Sequence, residues 1–448
     1  MVFSPHTPED RAMMLQAIGV DRIEQLFEGI PASYRFPELR LPPPVAEADI
    51  FRELLELSLR NWSTVATPTF LGAGSYNHYV PAVVHQILWR GEFYTAYTPY
   101  QPEVSQGTLQ SIYEFQSLVC LLTGMDVANA SMYDGATALA EGALLCVSPS
   151  RGRTAIVVAG TVHPYYRGVL RTYTRGLPVE VREVPIPDSL RTAPQDLERF
   201  VDESTACVVV QYPNFYGRIE DLAALAETAH AVGARFVVST YPIALGLLRP
   251  PGELGADVVT GEGQCLGIPQ SFGGPGLGLL AARMELVRHL PGRLIGATVD
   301  REGKRGFVMV LQTREQHIRR EKATSNICTN QGLMALAATV YLSALGRRGL
   351  QKIAELCYHK AHYLAQRIAE LPGWSLVGEG AFFNEFVVRC PQDPRAINEF
   401  LLQRGIIGGL AVGELVPQQD DLMLLCATEL TTKEHIDRLV EALRDLTL

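Results

Sequence analysis

Short apolar runs alternate with helical stretches through the middle of the chain. Four runs have the length and β-branched content of strands, at residues 154–160, 206–214, 235–240 and 256–263. Between the second and third runs, residues 219–233 (IEDLAALAETAHAVG) carry apolar side chains at helical spacing. Nearly continuous apolar strands separated by helices are typical of a parallel sheet that is covered on both faces. We therefore predict an α/β fold with a mainly parallel sheet between helices.

The two ends of the chain have different patterns. Residues 1–60 show helical spacing interrupted by prolines, including Pro42, Pro43 and Pro44, which predicts a helical arm and a Pro-rich linker. Residues 61–325 then form the predicted large α/β domain. From residue 326 two helical stretches are followed by short strands and a closing helix. This order predicts a smaller α+β domain over residues 326–448.

The charge and the apolar stretches of the chain argue against two classes of binding partner, nucleic acids and membranes. The chain has 448 residues with 39 Lys plus Arg and 48 Asp plus Glu, a net charge of -9, which argues against binding to nucleic acid. The most apolar stretch, residues 333–345, is too short to span a membrane. The start of the chain is rich in Pro, Glu and Asp where a secretion signal would be basic and then apolar. We expect a cytoplasmic protein with no membrane partner.

Cysteine spacing gives no indication of a metal centre. The eight cysteines contain no CxxC pair, the spacing that zinc and redox sites commonly use. No metal site is predicted.

Two loops rich in aromatic and polar residues are candidates for a functional site. Their candidate residues are Tyr76 and His78 in the first loop, and Tyr97, Thr98, Tyr100, Gln101 and Glu103 in the second. Aromatic loops line ligand pockets, but they also pack on the protein core. A single histidine is more often a structural hydrogen-bonding residue than a catalytic base. Both interpretations stay open from the residues alone.

A third candidate is the start of a predicted helix. Residues 133–145 (YDGATALAEGALL) indicate a turn at Asp134 and Gly135 followed by a strong helix. A glycine and the Thr137 hydroxyl at a helix N-terminus can bind a phosphate through free N–H groups. The alternative is helix capping by Asp134, and an acidic side chain at that point argues against a phosphate.

Taken together, five motifs carry a resemblance to a known family. They are YTPYQPEVSQGTLQSIYEFQ, YDGATALAEGALL, ADVVTGEGQ, SFGGPGLG and REKATSNICTNQGLMALAATVYL, in this order along the chain. The chain resembles the N-terminal type of the glycine cleavage system P-protein, the glycine decarboxylase. The resemblance implies a fold type I pyridoxal-phosphate-dependent transferase-like large domain with a smaller C-terminal domain. It also implies one of two homologous halves, which some organisms make as separate chains.

Lysine decides which half this chain resembles, because such an enzyme needs an amine to bond the cofactor. The catalytic half has a His-Lys pair before an Ile-Pro-His and glycine run. In this chain Gly263 and Gln264 stand at those positions, and Gln270 replaces the following His. Gln264 cannot form the bond. The resemblance therefore implies a chain with no catalytic residue of its own and no covalently bound cofactor.

The pyridine nitrogen of the cofactor normally needs a carboxylate at the end of a strand. The corresponding strand ends here in Ser239, Thr240 and Tyr241, with no acidic residue. A second requirement of the cofactor is therefore missing. The same resemblance implies that pyridoxal phosphate is bound by the partner subunit.

By this resemblance, the chain is subunit 1 of a two-subunit glycine decarboxylase, an oxidoreductase complex, and is inactive alone. The complex would decarboxylate glycine through pyridoxal phosphate held by a homologous catalytic subunit 2, and pass the aminomethyl group to the lipoyl group of the H-protein. We expect an α2β2 heterotetramer, with the seven loop residues named above completing the active site at the subunit interface.

Two alternatives remain at this point. The chain could be a purely structural or docking partner of the catalytic subunit. Less favoured is a self-contained pyridoxal-phosphate lyase or aminotransferase that uses Lys304 or Lys322, because both lysines lie well beyond the expected strand end.

Overall fold

The structure, a computed structural model, describes residues 5–150, 152–323 and 325–446. The chain divides into two compact units, residues 1–62 and 63–448. The first four residues of the predicted arm and the last two of the predicted C-terminal domain lie outside the described residues. The predicted domain limits at residues 60 and 325 stay predictions.

The first unit contains two helices, α1 (Pro8–Ile18) and α2 (Glu47–Ser58), joined by short 3-10 turns and proline-containing segments. Thr7 and Asp10 form a capping box, in which each side chain accepts a backbone N–H of the other residue. None of the residues that the structure describes in this unit is buried.

The second unit is built on a seven-stranded sheet. Its strands are β1 (Val127–Ala128), β2 (Ala155–Ala159), β3 (Glu180–Val184), β4 (Thr205–Tyr212), β5 (Arg235–Thr240), β6 (Val258–Glu262) and β7 (Gly278–Ala282). They lie in the order β1-β7-β6-β5-β4-β2-β3. The pairs from β6 to β3 are parallel, and β7 is antiparallel to both of its neighbours. Strand β2 is buried throughout, as expected for a continuous apolar run between two helical layers.

Helices and a hairpin surround this sheet. They are α3 (Ala82–Leu88), α4 (Gly91–Tyr94), α5 (Gln106–Thr123), α6 (Gly135–Val147), α7 (Pro164–Thr174), α8 (Pro194–Glu198), α9 (Leu222–Ala231), β8 (Leu294–Val299), β9 (Arg305–Val310) and α10 (Gln316–Arg319). Helix α6 packs directly on β6: a Cβ atom added to Gly142 would lie 2.8 Å from the Thr260 side chain, and one added to Gly135 would lie 2.8 Å from Glu262 Cβ. Glycine at these two positions therefore permits the close approach that places the start of α6 beside the end of β6.

The C-terminal part forms a small antiparallel sheet with three helices. Its elements are α11 (Gly332–Ala369), β10 (Ser375–Val377), β11 (Glu385–Arg389), α12 (Pro394–Gln403), β12 (Leu410–Ala411), β13 (Leu422–Cys426) and α13 (Lys433–Leu446). The strands lie in the order β10-β11-β13-β12. Helix α11 is interrupted at Gly346, which has a φ of 59°, and this break separates the two helical stretches that the sequence predicts.

None of the helices in the described part of the chain has the length and apolar content needed to cross a membrane.

Candidate functional site

The residue at the position of the cofactor lysine, Gln264, lies just after β6 and is buried. Its Oε1 accepts a hydrogen bond from the Tyr76 N–H at 2.9 Å. Its Nε2 donates to the carbonyl oxygens of Tyr76 at 3.0 Å and Ile268 at 2.7 Å. The neutral amide is therefore a structural link between the end of β6 and the loop that contains Tyr76.

Aromatic rings and a carboxyl group fill the space beside Gln264. The Tyr76 ring packs on the Tyr241 ring with centroids 4.2 Å apart. The Tyr76 hydroxyl donates to Glu385 Oε2 at 2.7 Å, and the Ala73 N–H donates to Glu385 Oε1 at 2.6 Å. Burial raises the pKa of Glu385 to about 7, while these two hydrogen bonds oppose the rise. Strand β11 thus supplies a buried acid that fixes the Tyr76 loop.

His78 joins a second acid, the partly buried Glu429, to the same aromatic group. Its Nδ1 lies 2.6 Å from Glu429 Oε2, and its Nε2 is hydrogen-bonded to the Tyr241 hydroxyl. Burial disfavours ionisation of Glu429, yet the hydrogen bonds from His78 and from the Tyr79 N–H bring the pKa of Glu429 below its ordinary value. An ionised carboxylate can only accept, so His78 donates from Nδ1 to Glu429. His78 is therefore a hydrogen-bonded core residue.

The His78 and Glu429 pair lies close to Cys357, and the ligand atoms of these three residues lie within 4.8 Å of one another. Two donor atoms on a tetrahedral zinc, with bonds of about 2.0 Å, would lie about 3.3 Å apart. The 2.6 Å between His78 Nδ1 and Glu429 Oε2 is shorter and corresponds to a direct hydrogen bond. The absence of a metal site stays a prediction.

A third acid, the partly buried Glu262, ends β6 and faces the start of α6. Its carboxylate accepts three backbone N–H groups, from Gly135 at 2.8 Å, Gln264 at 2.9 Å and Leu277 at 2.8 Å. Burial raises the pKa of Glu262 to about 7, and the three N–H donors oppose the rise. A side-chain carboxylate of the protein therefore lies where an anion at this helix N-terminus would bind.

Of the two interpretations given for the start of α6, phosphate binding and capping by Asp134, the structure shows capping. Asp134 Oδ1 accepts the Thr137 N–H at 2.8 Å, and Thr137 Oγ1 accepts the Asp134 N–H at 3.2 Å. The two side chains form a capping box. Together with Glu262, they hold the N–H groups that a phosphate would need.

The second predicted loop lies in different surroundings from Tyr76 and His78. Tyr97 is 87% exposed, and Tyr100, Gln101 and Glu103 are also exposed. Thr98 is half-buried and, with Tyr97, lines a cavity of about 200 Å³. The seven candidate residues thus divide into a buried pair and an exposed loop.

Comparison with known proteins identifies the family. The family model for the glycine cleavage system P-protein matches residues 1–443. The chain belongs to this family. A relative from Thermomicrobium roseum, named probable glycine dehydrogenase (decarboxylating) subunit 1, is 81% identical over 447 residues and covers 100% of both chains. A protein of the same name from Desulforamulus reducens is 50% identical and covers 99% of each chain.

Solved structures confirm the fold class predicted for this P-protein chain. A crystal structure of glycine decarboxylase (P-protein) of the glycine cleavage system, in inhibitor-bound form, has a TM-score of 0.91 and 45% identity over 100% of both chains. A sphingosine-1-phosphate lyase of Burkholderia pseudomallei, at 17% identity, has a TM-score of 0.65 over 93% of this chain and 94% of its own. This second likeness concerns the fold alone. The large domain has the fold type I transferase architecture.

The residues around Gln264 do not fit the pyridoxal phosphate that this P-protein family implies. Gln264 offers no amine, and the strand end that would supply a carboxylate for the pyridine nitrogen has only Ser239, Thr240 and Tyr241. The Tyr76 ring packs against Tyr241. The Glu262 carboxylate would repel a phosphate at the start of α6. Lys304 and Lys322, the lysines of the self-contained alternative, are both exposed.

Several functional groups of this P-protein chain were missed by sequence reasoning. Glu262 could have been found, because an acid ending an apolar strand next to the lysine position is unusual. Glu385 and Glu429 lie more than 300 residues from the loop that they contact, and no local pattern marks them. Arg293, which lines the cavity beside Thr98, lies in no motif.

Proposed function

We propose that this chain is subunit 1 of a two-subunit glycine dehydrogenase (decarboxylating) in the cytoplasm, and that it works with a homologous subunit 2 that binds pyridoxal phosphate. The observation that carries the proposal is the filled space behind Gln264, in a chain whose full-length relatives are named subunit 1. A chain that fills this space with its own side chains needs a second chain to supply the cofactor.

The exposed loop is the part of this chain that we propose reaches the partner's active site. Tyr97 and Tyr100 present phenol groups to the surface, where they can orient a substrate or exclude water at an interface. Thr98, Gln101 and Glu103 accompany them on the same loop. For the buried pair, a contribution to the interface stays a prediction.

We further propose that the complex is an α2β2 heterotetramer that passes the aminomethyl group of glycine to the lipoyl group of the H-protein. Chemistry on glycine takes place at the cofactor of subunit 2, and this chain has no catalytic residue of its own. Its contribution is to complete and shield the site.

Reconstitution tests the proposal. The chain, the homologous subunit 2 and lipoylated H-protein are purified separately, and release of carbon dioxide from labelled glycine is measured for each chain and for the mixture. We expect activity only in the mixture. Full activity of either chain alone would overturn the proposed division of roles.

Loop variants separate an active-site role from a purely structural one. We expect Tyr97→Ala and Tyr100→Ala each to reduce decarboxylation at least tenfold while the complex stays intact by analytical ultracentrifugation. Tyr165→Ala, which removes another exposed tyrosine, is the matched control and should keep the wild-type rate. Unchanged rates in both loop variants would instead favour a docking partner.

A further inference from the structure

A buried positive charge lies beside the second loop. Arg293 is 7% exposed and precedes β8. Its Nη1 donates to Asn330 Oδ1 at 3.0 Å and to Thr329 Oγ1 at 3.5 Å, and its Nη2 donates to the Cys328 carbonyl at 3.2 Å. Among the residues that the structure describes, no atom accepts a hydrogen bond from the Arg293 Nε. All of the partners are neutral, so the guanidinium charge is not balanced by them.

Arg293 lines the cavity of about 200 Å³ that also contains Thr98. Further hydroxyl groups come from Thr108 and Ser111 of α5. No acidic side chain in the described parts of the chain lines this cavity. A buried charge without a counter-charge is costly, so a ligand that brings a negative charge into this cavity would stabilise it.

The same cavity contains the beginning of α11. Gly332 and Leu333, the first residues of α11, line it. Gln331, which precedes the helix, makes no capping hydrogen bond with its side chain, and its own N–H donates to Ser131 Oγ at 3.0 Å. The free N–H groups and the helix dipole make the helix start electropositive. The unbalanced Arg293 and the uncapped helix start therefore attract the same kind of ligand from two independent directions.

We propose that this cavity binds a small oxyanion, the carboxylate or phosphate group of a ligand, through the Arg293 guanidinium, the cavity hydroxyls and the start of α11. Its volume is several times the roughly 30 Å³ share of one water molecule, which is enough for such a group and a few further atoms. The proposal goes beyond the function proposed above: all of the lining residues belong to this chain, and two of them, Tyr97 and Thr98, are part of the loop proposed to reach the partner.

Titration of the full chain tests the proposal. Sodium phosphate and sodium acetate are titrated separately by isothermal calorimetry at constant ionic strength set with sodium chloride. We expect saturable binding at one site per chain for at least one anion. Binding of phosphate alone would indicate a ligand with a phosphate group, and binding of acetate would indicate a ligand with a carboxylate group. A lack of saturable binding for both would overturn the proposal.

Substitution assigns the binding to Arg293. We expect Arg293→Met to weaken the affinity at least tenfold. Arg347→Met, which removes an exposed arginine from α11, should bind as the wild type does. Equal affinity of folded Arg293→Met and wild type would contradict the assignment.

A second variant keeps the test valid if Arg293→Met does not fold. Ser111→Asp places a carboxylate in the cavity next to the unbalanced charge. We expect this variant to fold, to melt at a higher temperature than the wild type, and to lose anion binding at least tenfold. Retained binding in Ser111→Asp would show that the anion binds elsewhere and would overturn the proposal.

Discussion

Two polar regions of the second unit differ in how their charged groups are paired. Around Gln264, the buried Glu385 and the partly buried Glu262 and Glu429 each accept two or more hydrogen bonds from the chain itself. In the cavity beside Thr98, the buried Arg293 has only neutral partners, and its Nε has none among the described residues. The first region is satisfied internally, and the second needs something from outside.

This difference indicates where the chain can interact with other molecules. A region whose donors and acceptors are paired has nothing to offer a cofactor, because a ligand would first have to break those hydrogen bonds. An unpaired charge in a cavity is stabilised when a ligand of opposite charge binds there. The position of Gln264, which we propose corresponds to the active site of the catalytic subunit, is therefore a structural centre in this chain, while the exposed loop and its cavity remain open to a partner or ligand.

Removing Glu262 should have the largest effect on the satisfied region. Glu262→Ala leaves the N–H groups of Gly135, Gln264 and Leu277 without their acceptor. At 1–3 kcal/mol for each unsatisfied group, we expect a loss of about 4 kcal/mol in the free energy of unfolding. Urea denaturation measures this loss. Glu227→Ala, an exposed position on α9, should change it by less than about 0.5 kcal/mol.

If Glu262→Ala and Glu227→Ala had the same free energy of unfolding, the hydrogen bonds of Glu262 would not stabilise the region around Gln264. The contrast between this region and the cavity of Arg293 would then fail.

The raised pKa of Glu385 predicts how the stability of the chain changes with pH. Its pKa of about 7 lies above the ordinary value of 4.5, so the folded state keeps a proton that the unfolded state releases. This contribution to stability is complete below about pH 4.5 and is lost as the pH rises towards 7. A difference of this size corresponds to at most about 3 kcal/mol.

We therefore expect Glu385→Gln to flatten the fall in unfolding free energy between pH 4.5 and 7, measured by urea denaturation at several pH values. Glu379→Gln, at an exposed position, should follow the wild-type curve. Parallel curves for the wild type and Glu385→Gln over this range would show that Glu385 does not hold a proton in the folded state and would contradict the expectation.

A smaller effect is expected from a single hydrogen bond of the Tyr76 loop. Tyr76→Phe keeps the ring on Tyr241 but removes the hydroxyl that donates to Glu385. We expect a loss of about 1.5 kcal/mol, measured by thermal unfolding. Tyr79→Phe, at an exposed tyrosine, is the control. Equal loss in both variants would mean that the Tyr76 hydroxyl is not part of the satisfied region.

Much of the fold could be predicted from the sequence because its signals are local. The runs at 154–160, 206–214, 235–240 and 256–263 correspond to β2, β4, β5 and β6, since buried parallel strands need continuous apolar residues. The antiparallel β7 is less evident, because its glycine-rich approach from Gly267 indicates a turn but not a strand direction.

The sequence predicts the candidate site only where a single residue decides the chemistry. Gln264 at the lysine position could be seen from its motif alone. That His78 is bound to Glu429, or that Arg293 meets Thr98 in one cavity, depends on contacts between residues far apart in sequence. Such contacts follow from tertiary packing, and a single sequence contains no local signal for them.

The central claim is that this chain works without a cofactor of its own. The most direct test adds pyridoxal phosphate to the purified chain, reduces with borohydride, and searches for cofactor-modified lysine by mass spectrometry, with the homologous subunit 2 as the positive control. We expect stoichiometric modification of subunit 2 and none of this chain. Stoichiometric modification of Lys304 or Lys322 would contradict the account and identify an enzyme that is complete in itself.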